Sequence, residues 1–141
     1  MTALVFSLAL WVAAAGQVSL LLVSTNVPRL LGWPEDLPKL RTFNRRLFKV
    51  FGGYAVGTYL AFAALTAYLH GELVAGTKAT DALALFLGAY WLVRLVLEFG
   101  YLSHDLWPRG RLFALGHVVL DLGYAYLALT YLGLVAWHLL M

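Results

Sequence analysis

The chain has 141 residues, of which 62% are hydrophobic and 12% are charged, and its formal net charge is +3. The apolar share exceeds the roughly 45–50% of soluble domains, and the mean hydropathy is +0.81, so a water-soluble fold is excluded. The positive charges gather in one region of an apolar chain, which indicates membrane orientation and argues against nucleic-acid binding. The absence of cysteine excludes disulfides, thiolate metal sites and cysteine nucleophiles.

Four apolar runs predict four transmembrane helices, because one span needs about 20 mostly apolar residues. Thr80 and Asp81 have the character of an N-cap for the third helix. The sequence therefore predicts an all-α polytopic membrane protein, with residues 1–141 forming a single antiparallel four-helix bundle. The predicted segments are helices at about 3–24, 44–70, 81–103 and 111–140, with an interfacial loop at 25–43.

The Lys and Arg residues outside the helices lie almost entirely on one side of the predicted bundle. The positive-inside rule makes that side cytoplasmic, and only Lys78 lies on the other side. We therefore expect an integral membrane protein, of the bacterial inner membrane, with both termini external. The cytoplasmic set is Arg29, Lys39, Arg41, Arg45, Arg46, Lys49, Arg109 and Arg111.

Ionisable residues inside the predicted third and fourth helices are the most informative feature. Arg94 and Glu98 are spaced i,i+4, as are His117 and Asp121, so each pair shares a helix face. At 1.5 Å of rise per residue, antiparallel packing puts Arg94 level with Asp121 and Glu98 level with His117. Three further polar residues fall near these depths and are expected to join the cluster: Gln17, Tyr54 and Tyr90.

This polar cluster has two interpretations. It can lock the helix register through interhelical pairs, as polar residues in membrane bundles often do. Alternatively, it lines a pocket open to the cytoplasmic leaflet, in which Arg94 holds an anionic group while Glu98 and His117 exchange a proton. The second interpretation requires a cavity that reaches all three side chains.

Metal and haem sites are weaker alternatives. Carboxylates and imidazoles lie toward the cytoplasmic end (Glu98, His104, Asp105, His117 and Asp121), but no HExxH motif or histidine-rich box is present. Arg94 would also repel a cation, so the sequence predicts no metal and no other cofactor. His70 and His138 sit at the outer helix ends, where plain interfacial histidines are more common than haem ligands.

The second helix carries a ridge of small residues, Gly53, Gly57 and Ala61, on which another helix can approach closely. The ridge can contact a neighbouring helix of the same bundle. It can equally be the contact surface for a second copy of the chain or for another membrane protein.

Four motifs are distributed over residues 43–138: the segment from Asn44-Arg45-Arg46 to Gly52-Gly53-Tyr54, the Tyr90-Trp91-x-x-Arg94-Leu95 turn with Glu98, the Gly116-His117 pair and the Tyr126–Tyr131 run. With these motifs the segment resembles a group of small bacterial four-span membrane proteins. That resemblance implies family membership and no activity. The four-helix order and Arg41-Thr42-Phe43 are also similar to the ergosterol-biosynthesis scaffold family, which implies a non-catalytic tether for lipid-modifying enzymes.

The sequence favours an accessory or scaffold protein that binds a membrane partner, a second copy or a lipid. The alternative is a membrane-embedded enzyme or carrier for a lipophilic small molecule, using the polar cluster and coupled to protons. A small proton-coupled exporter is a third class, although the cationic neighbour of Glu98 disfavours it. Whether the chain is an enzyme stays open.

Overall fold

A computed structural model of the protein describes residues 1–102 and 104–141, and this part of the chain contains helices and no strand. Two short 3₁₀ turns lie outside the α-helices, at Leu37–Lys39 and at His104–Leu106. The α-helices in chain order are α1 (Thr2–Ser24), α2 (Val27–Leu30), α3 (Trp33–Asp36), α4 (Thr42–Tyr68), α5 (His70–Ala75), α6 (Lys78–Gly100) and α7 (Arg111–Leu140).

The helices α1, α4, α6 and α7 are the four in the described residues that are long and apolar enough to cross a membrane. The predicted all-α fold with four spans is therefore confirmed. Consecutive long helices run in opposite directions, so both termini and α5 share one end of the bundle, which we call the terminal end. The other end holds α2, α3 and the α6–α7 link, and we call it the basic end.

The third predicted helix begins earlier than its sequence suggests. We expected a cap at Thr80 and Asp81, but the N-cap is Thr77, whose hydroxyl accepts a hydrogen bond from the Thr80 amide at 3.3 Å. The Thr80 hydroxyl accepts a bond from the Thr77 amide in return, which completes a capping box. Helix α6 ends at Gly100, and Ser103, the predicted end, lies outside the described residues.

The segment between α1 and α4 contains two short helices where an irregular loop was predicted. Pro28 and Pro34 each occupy a first-turn position, where proline loses no helical hydrogen bond. Gly32 turns the chain between them with a φ of +71°, a left-handed conformation that side chains with a Cβ rarely adopt. The segment folds back over the basic end of the bundle.

The well-packed core lies toward the terminal end. Leu73, Leu134 and Tyr131 are fully buried there. In α4, all of which the structure describes, the first buried residue is Phe62, so about the first three quarters of this helix contributes no buried side chain. The basic end is consequently much more open than the terminal end.

Candidate functional site

A cavity of about 700 Å³ lies at the basic end of the bundle. Helices α1, α4, α6 and α7 form its walls, and α2, α3 and the α6–α7 link cover it. Most of its lining is apolar, including Leu31, Trp33, Val56 and Leu120. Its volume falls within the roughly 300–1,000 Å³ of sites that hold small lipophilic molecules.

Two cationic side chains line this apolar cavity, Arg94 of α6 and Lys49 of α4. The Arg94 guanidinium carbon lies 4.8 Å from the centre of the Tyr124 ring, over its face. A cation in this position is attracted by the ring quadrupole, which helps to hold it in a mostly apolar wall. The Arg94 side chain keeps 26% of its surface exposed, so part of the guanidinium faces the cavity.

Arg94 is held from behind by Glu98, one helical turn further along α6. The Arg94 Nη1 donates to Glu98 Oε2 at 2.5 Å, and the Glu98 side chain is fully buried. A guanidinium carries five donor hydrogens, so this ion pair leaves donors of Arg94 that can serve a ligand.

The other carboxylate oxygen of Glu98 faces α7. Glu98 Oε1 lies 3.7 Å from His117 Nδ1, and the same nitrogen lies 3.2 Å from Asp121 Oδ2. His117 is buried and Asp121 is nearly so. The sequence-predicted proximity of Glu98 to His117 therefore matches the geometry of these side chains.

The predicted pairing of Arg94 with Asp121 is wrong. Arg94 pairs with Glu98 on its own helix, while Asp121 lies against His117 on α7. The rise per residue fixes the depth of a side chain but not the direction in which it points around the helix. Arg94 turns toward the cavity over Tyr124 instead of toward Asp121.

Aromatic rings enclose the cluster on two sides. Trp107 of the α6–α7 link stacks on His117, with ring centroids 4.6 Å apart and planes only 4° from parallel. Toward the terminal end, Trp91 stacks on Tyr124 at 5.7 Å and lies 5.1 Å from Tyr59. These three rings separate the cavity from the packed core.

Gln17 does not join the cluster, contrary to the sequence prediction. Its amide donates to the Tyr131 hydroxyl at 2.6 Å, and that hydroxyl also lies 2.5 Å from the Thr66 hydroxyl. All three side chains are buried. They form a separate polar network that joins α1, α4 and α7 in the packed core, and sequence reasoning missed Thr66 and Tyr131 as its members.

Of the two tyrosines assigned to the cluster, Tyr54 lies elsewhere and Tyr90 lies beside Arg94. Tyr54 is 72% exposed on the outer surface of α4, so its placement in the site was wrong. Tyr90 packs edge-to-face on Phe62 at 4.9 Å, one turn from Arg94 on the terminal side. The cavity residues Lys49, Tyr59, Tyr124 and Trp107 were not assigned to a site, although Tyr124 follows Asp121 on α7 at i+3.

The ridge on α4 faces outward. Gly53, Gly57 and Ala61 are exposed, and a Cβ added at either glycine would meet nothing within 4 Å. Of the two interpretations of the ridge, contact with a neighbouring helix of the same bundle is therefore wrong, and the outward contact surface stays a prediction. A shallow groove of about 480 Å³ runs along it, with Tyr54 on its border.

The histidines at the terminal end have separate partners. His70 lies 3.0 Å from the Ser7 carbonyl oxygen and stacks on Trp11 at 4.7 Å. His138 lies 2.6 Å from Asp81 and so joins α7 to α6. Each imidazole therefore has contacts that account for it at a helix end. The side chain of His104, a further ligand considered above, lies outside the described residues.

A second, almost wholly apolar groove of about 550 Å³ runs between α1 and α7 near the basic end. Small residues on both helices, Gly16, Gly116 and Gly123, form part of its floor. Val23 and Leu120 line both this groove and the Arg94 cavity. Only these two side chains, among the described residues, are shared by the two spaces.

No family model, curated protein or solved structure matches this chain. The resemblance of residues 43–138 to small bacterial four-span proteins therefore stays a prediction, as does the resemblance to the ergosterol-biosynthesis scaffold family. The geometry of the cavity and the cluster carries the functional argument.

Proposed function

We propose that this integral membrane protein binds a lipophilic molecule with an anionic head group at the basic end of the bundle. The head group lies against Arg94, and the apolar part fills the cavity under α2 and α3. The observation that carries this proposal is the presence of two cationic side chains, Arg94 and Lys49, in the wall of a mostly apolar cavity of about 700 Å³.

Charge complementarity supports an anionic head group. Arg94 retains donors beyond its bond to Glu98, and Lys49 adds a second cation in the same cavity. Charge-assisted hydrogen bonds are about twice as strong as neutral ones, and they strengthen where water is excluded. A phosphate or carboxylate head group carries the complementary charge.

The groove between α1 and α7 supports a ligand with a hydrocarbon chain. It is apolar, and it meets the cavity at Val23 and Leu120. A chain lying in the groove would extend from a head group in the cavity into the bilayer. We infer that the ligand enters sideways from the membrane, between these two helices.

Binding fits this geometry better than a proton-transfer reaction on the ligand. The enzyme or carrier hypothesis requires the cavity to reach Arg94, Glu98 and His117 together. Within the described residues Arg94 lines the cavity, whereas Glu98 is buried behind it and His117 is covered by Trp107. The cluster is therefore suited to holding Arg94 in place.

Native mass spectrometry in a neutral detergent tests this proposal. Wild-type protein is titrated with phosphatidylglycerol and with phosphatidylcholine of the same chains, and we expect at least about tenfold tighter binding of the anionic lipid, equivalent to about 1.4 kcal/mol. The double variant Arg94→Gln/Glu98→Gln removes the cation without stranding a buried acid, and it should lose that preference.

The matched control is Arg46→Gln, which removes the same charge from an exposed position of α4. It should keep the preference for phosphatidylglycerol. Equal binding of both lipids by the wild type, or equal losses in the control and the double variant, would contradict the proposal.

A second candidate is an accessory or scaffold role through a second copy of the chain. The exposed Gly53-x-x-x-Gly57-x-x-x-Ala61 ridge favours it, because open glycines let two helix backbones approach closely. Replacing Gly57 with Ile should lower the dimer fraction measured by energy transfer in vesicles. An unchanged dimer fraction, or an entirely monomeric wild type, would exclude this interface.

A further inference from the structure

We propose that Glu98, His117 and Asp121 bind a divalent transition-metal ion of the Zn²⁺ or Fe²⁺ class. This inference goes beyond lipid binding and does not depend on it. One ligand atom from each residue lies within 4.8 Å of the other two, in a buried site that joins α6 to α7.

The donor set matches this class of ion. An imidazole nitrogen with carboxylate oxygens suits Zn²⁺, Fe²⁺ and Mn²⁺, and catalytic zinc sites use three protein ligands with a fourth position open. His117 and Asp121 are one turn apart on α7, so both side chains lie on one helix face. With ligand bonds of about 2.0–2.2 Å, tetrahedral ligand atoms lie about 3.4 Å apart, so the widest separation in the cluster has to close by up to about 1.4 Å.

Oxygen atoms of both acids lack the hydrogen bonds that burial requires. Glu98 Oε1 and Asp121 Oδ1 are buried, and no described residue donates a hydrogen bond to either atom. The Glu98 side chain is fully buried and directs this oxygen toward His117, 3.7 Å away, beyond hydrogen-bond length. Leaving such an acceptor unsatisfied costs about 1–3 kcal/mol, and a cation bound to Glu98 Oε1 would remove that cost.

The net charge of the cluster also calls for a cation. Among the described residues of the cluster, two carboxylates outnumber the single guanidinium of Arg94, which leaves one uncompensated negative charge in a low-dielectric interior. A divalent ion that keeps a hydroxide in its open fourth position would add one net positive charge and balance it.

The position of Arg94 removes the objection that it repels a metal. Arg94 bonds to Oε2 of Glu98, and Oε1 is the oxygen that faces His117. Metal-ligating carboxylates are themselves hydrogen-bonded, and such partners orient the ligand. Trp107 stacks on the His117 ring and fixes its plane. Arg94 and Trp107 therefore support this site from outside it.

Co²⁺ is the probe, because it gives visible absorption when bound by nitrogen and oxygen ligands and substitutes for Zn²⁺. Purified protein in neutral detergent, stripped with a chelator, is dialysed against Co²⁺ and analysed for metal. We expect one equivalent, and at least about tenfold weaker binding by Asp121→Asn. The matched control is Asp81→Asn, which makes the same change in the other Asp–His pair at the terminal end, where Asp81 lies 2.6 Å from His138.

A further measurement uses the wild type alone, so its result does not depend on whether a variant folds. Bound Co²⁺ should shift the proton resonances of the His117 ring and leave those of His138 in place. Less than about a tenth of an equivalent of metal, shifts at His138 alone, or equal losses in the two Asp→Asn variants would overturn the metal site.

Discussion

The two ends of the bundle differ in what surrounds their polar groups. At the terminal end and in the packed core, polar side chains contact one another: Tyr131 joins Gln17 to Thr66, and His138 pairs with Asp81, although Gln17 Oε1 accepts no hydrogen bond from the described residues. At the basic end, Arg94 lies at the edge of a cavity of about 700 Å³, and Glu98 and Asp121 each keep an oxygen without a hydrogen bond from the described residues. Polar residues thus stabilise the packing at the terminal end, whereas at the basic end they lie at the edge of a cavity.

This difference between the two ends follows from the distribution of large and small side chains along α4. Helix α4 buries Phe62, Ala63 and Thr66 in its last third, while Gly52 and Gly53 line the cavity nearer its start. Small residues there cannot fill the space between α1 and α6, so the space persists. Helix α4 is therefore tightly packed only toward the terminal end of the bundle.

The largest expected effect comes from breaking the ion pair at the open end. Arg94→Leu leaves the buried Glu98 carboxylate without its cation, and breaking a buried pair in this way costs about 3–5 kcal/mol. Arg94→Leu/Glu98→Leu removes both charges and should recover most of that loss. Unfolding by denaturant in mixed micelles measures both variants, and equal destabilisation would show that the two residues are not energetically paired.

Replacing Gly88 with alanine tests how tightly the terminal half of the bundle is packed. A Cβ there would lie 2.7 Å from side-chain atoms of Leu132 and 3.1 Å from its backbone nitrogen. Overpacking of this kind costs about 1–3 kcal/mol, so Gly88→Ala should lower the free energy of unfolding by that amount.

Gly53→Ala is the matched control for Gly88→Ala. A Cβ at Gly53 meets nothing within 4 Å, and alanine is a better helix former than glycine by about 1 kcal/mol. We expect a neutral or slightly stabilised variant. A destabilised Gly53→Ala monomer would mean that the two halves do not differ in packing as described.

The smallest effect is expected at the polar network of the core. Tyr131→Phe removes the hydroxyl that contacts both Gln17 and Thr66, and hydrogen bonds between membrane helices are worth about 0.6–1.7 kcal/mol. Tyr68→Phe, at a position 86% exposed, should change nothing measurable. Indistinguishable unfolding curves for the two variants would remove the network from the stabilising interactions.

The four spans were predictable because hydropathy and length alone decide them, and the four long helices have them. Depth in the bundle was also predictable from the rise per residue, which brought Glu98 and His117 to the same level. The direction in which each side chain points around its helix axis could not be predicted, because the apolar faces of these helices look alike in sequence. Arg94 was consequently given Asp121 as its partner, and Gln17 was assigned to the wrong network.

The cavity was beyond sequence reasoning for a different reason. It depends on side chains that are missing from a region, and on the way α2 and α3 fold back over the basic end. A glycine pair such as Gly52-Gly53 is equally compatible with close helix packing and with open space. In contrast, the earlier start of α6 could have been predicted from the sequence, since Thr77 and Thr80 have the spacing of a capping box.

Methyl NMR during a lipid titration tests most directly whether the basic end is a binding site and the terminal end is not. As phosphatidylglycerol is added in neutral detergent, the methyl resonances of Val56 and Leu120 should shift and saturate, because both side chains line the cavity. Those of Leu73 and Leu134, fully buried in the packed half, should stay in place, and phosphatidylcholine should produce much smaller shifts. Equal shifts in both halves, or equal responses to the two lipids, would contradict the account.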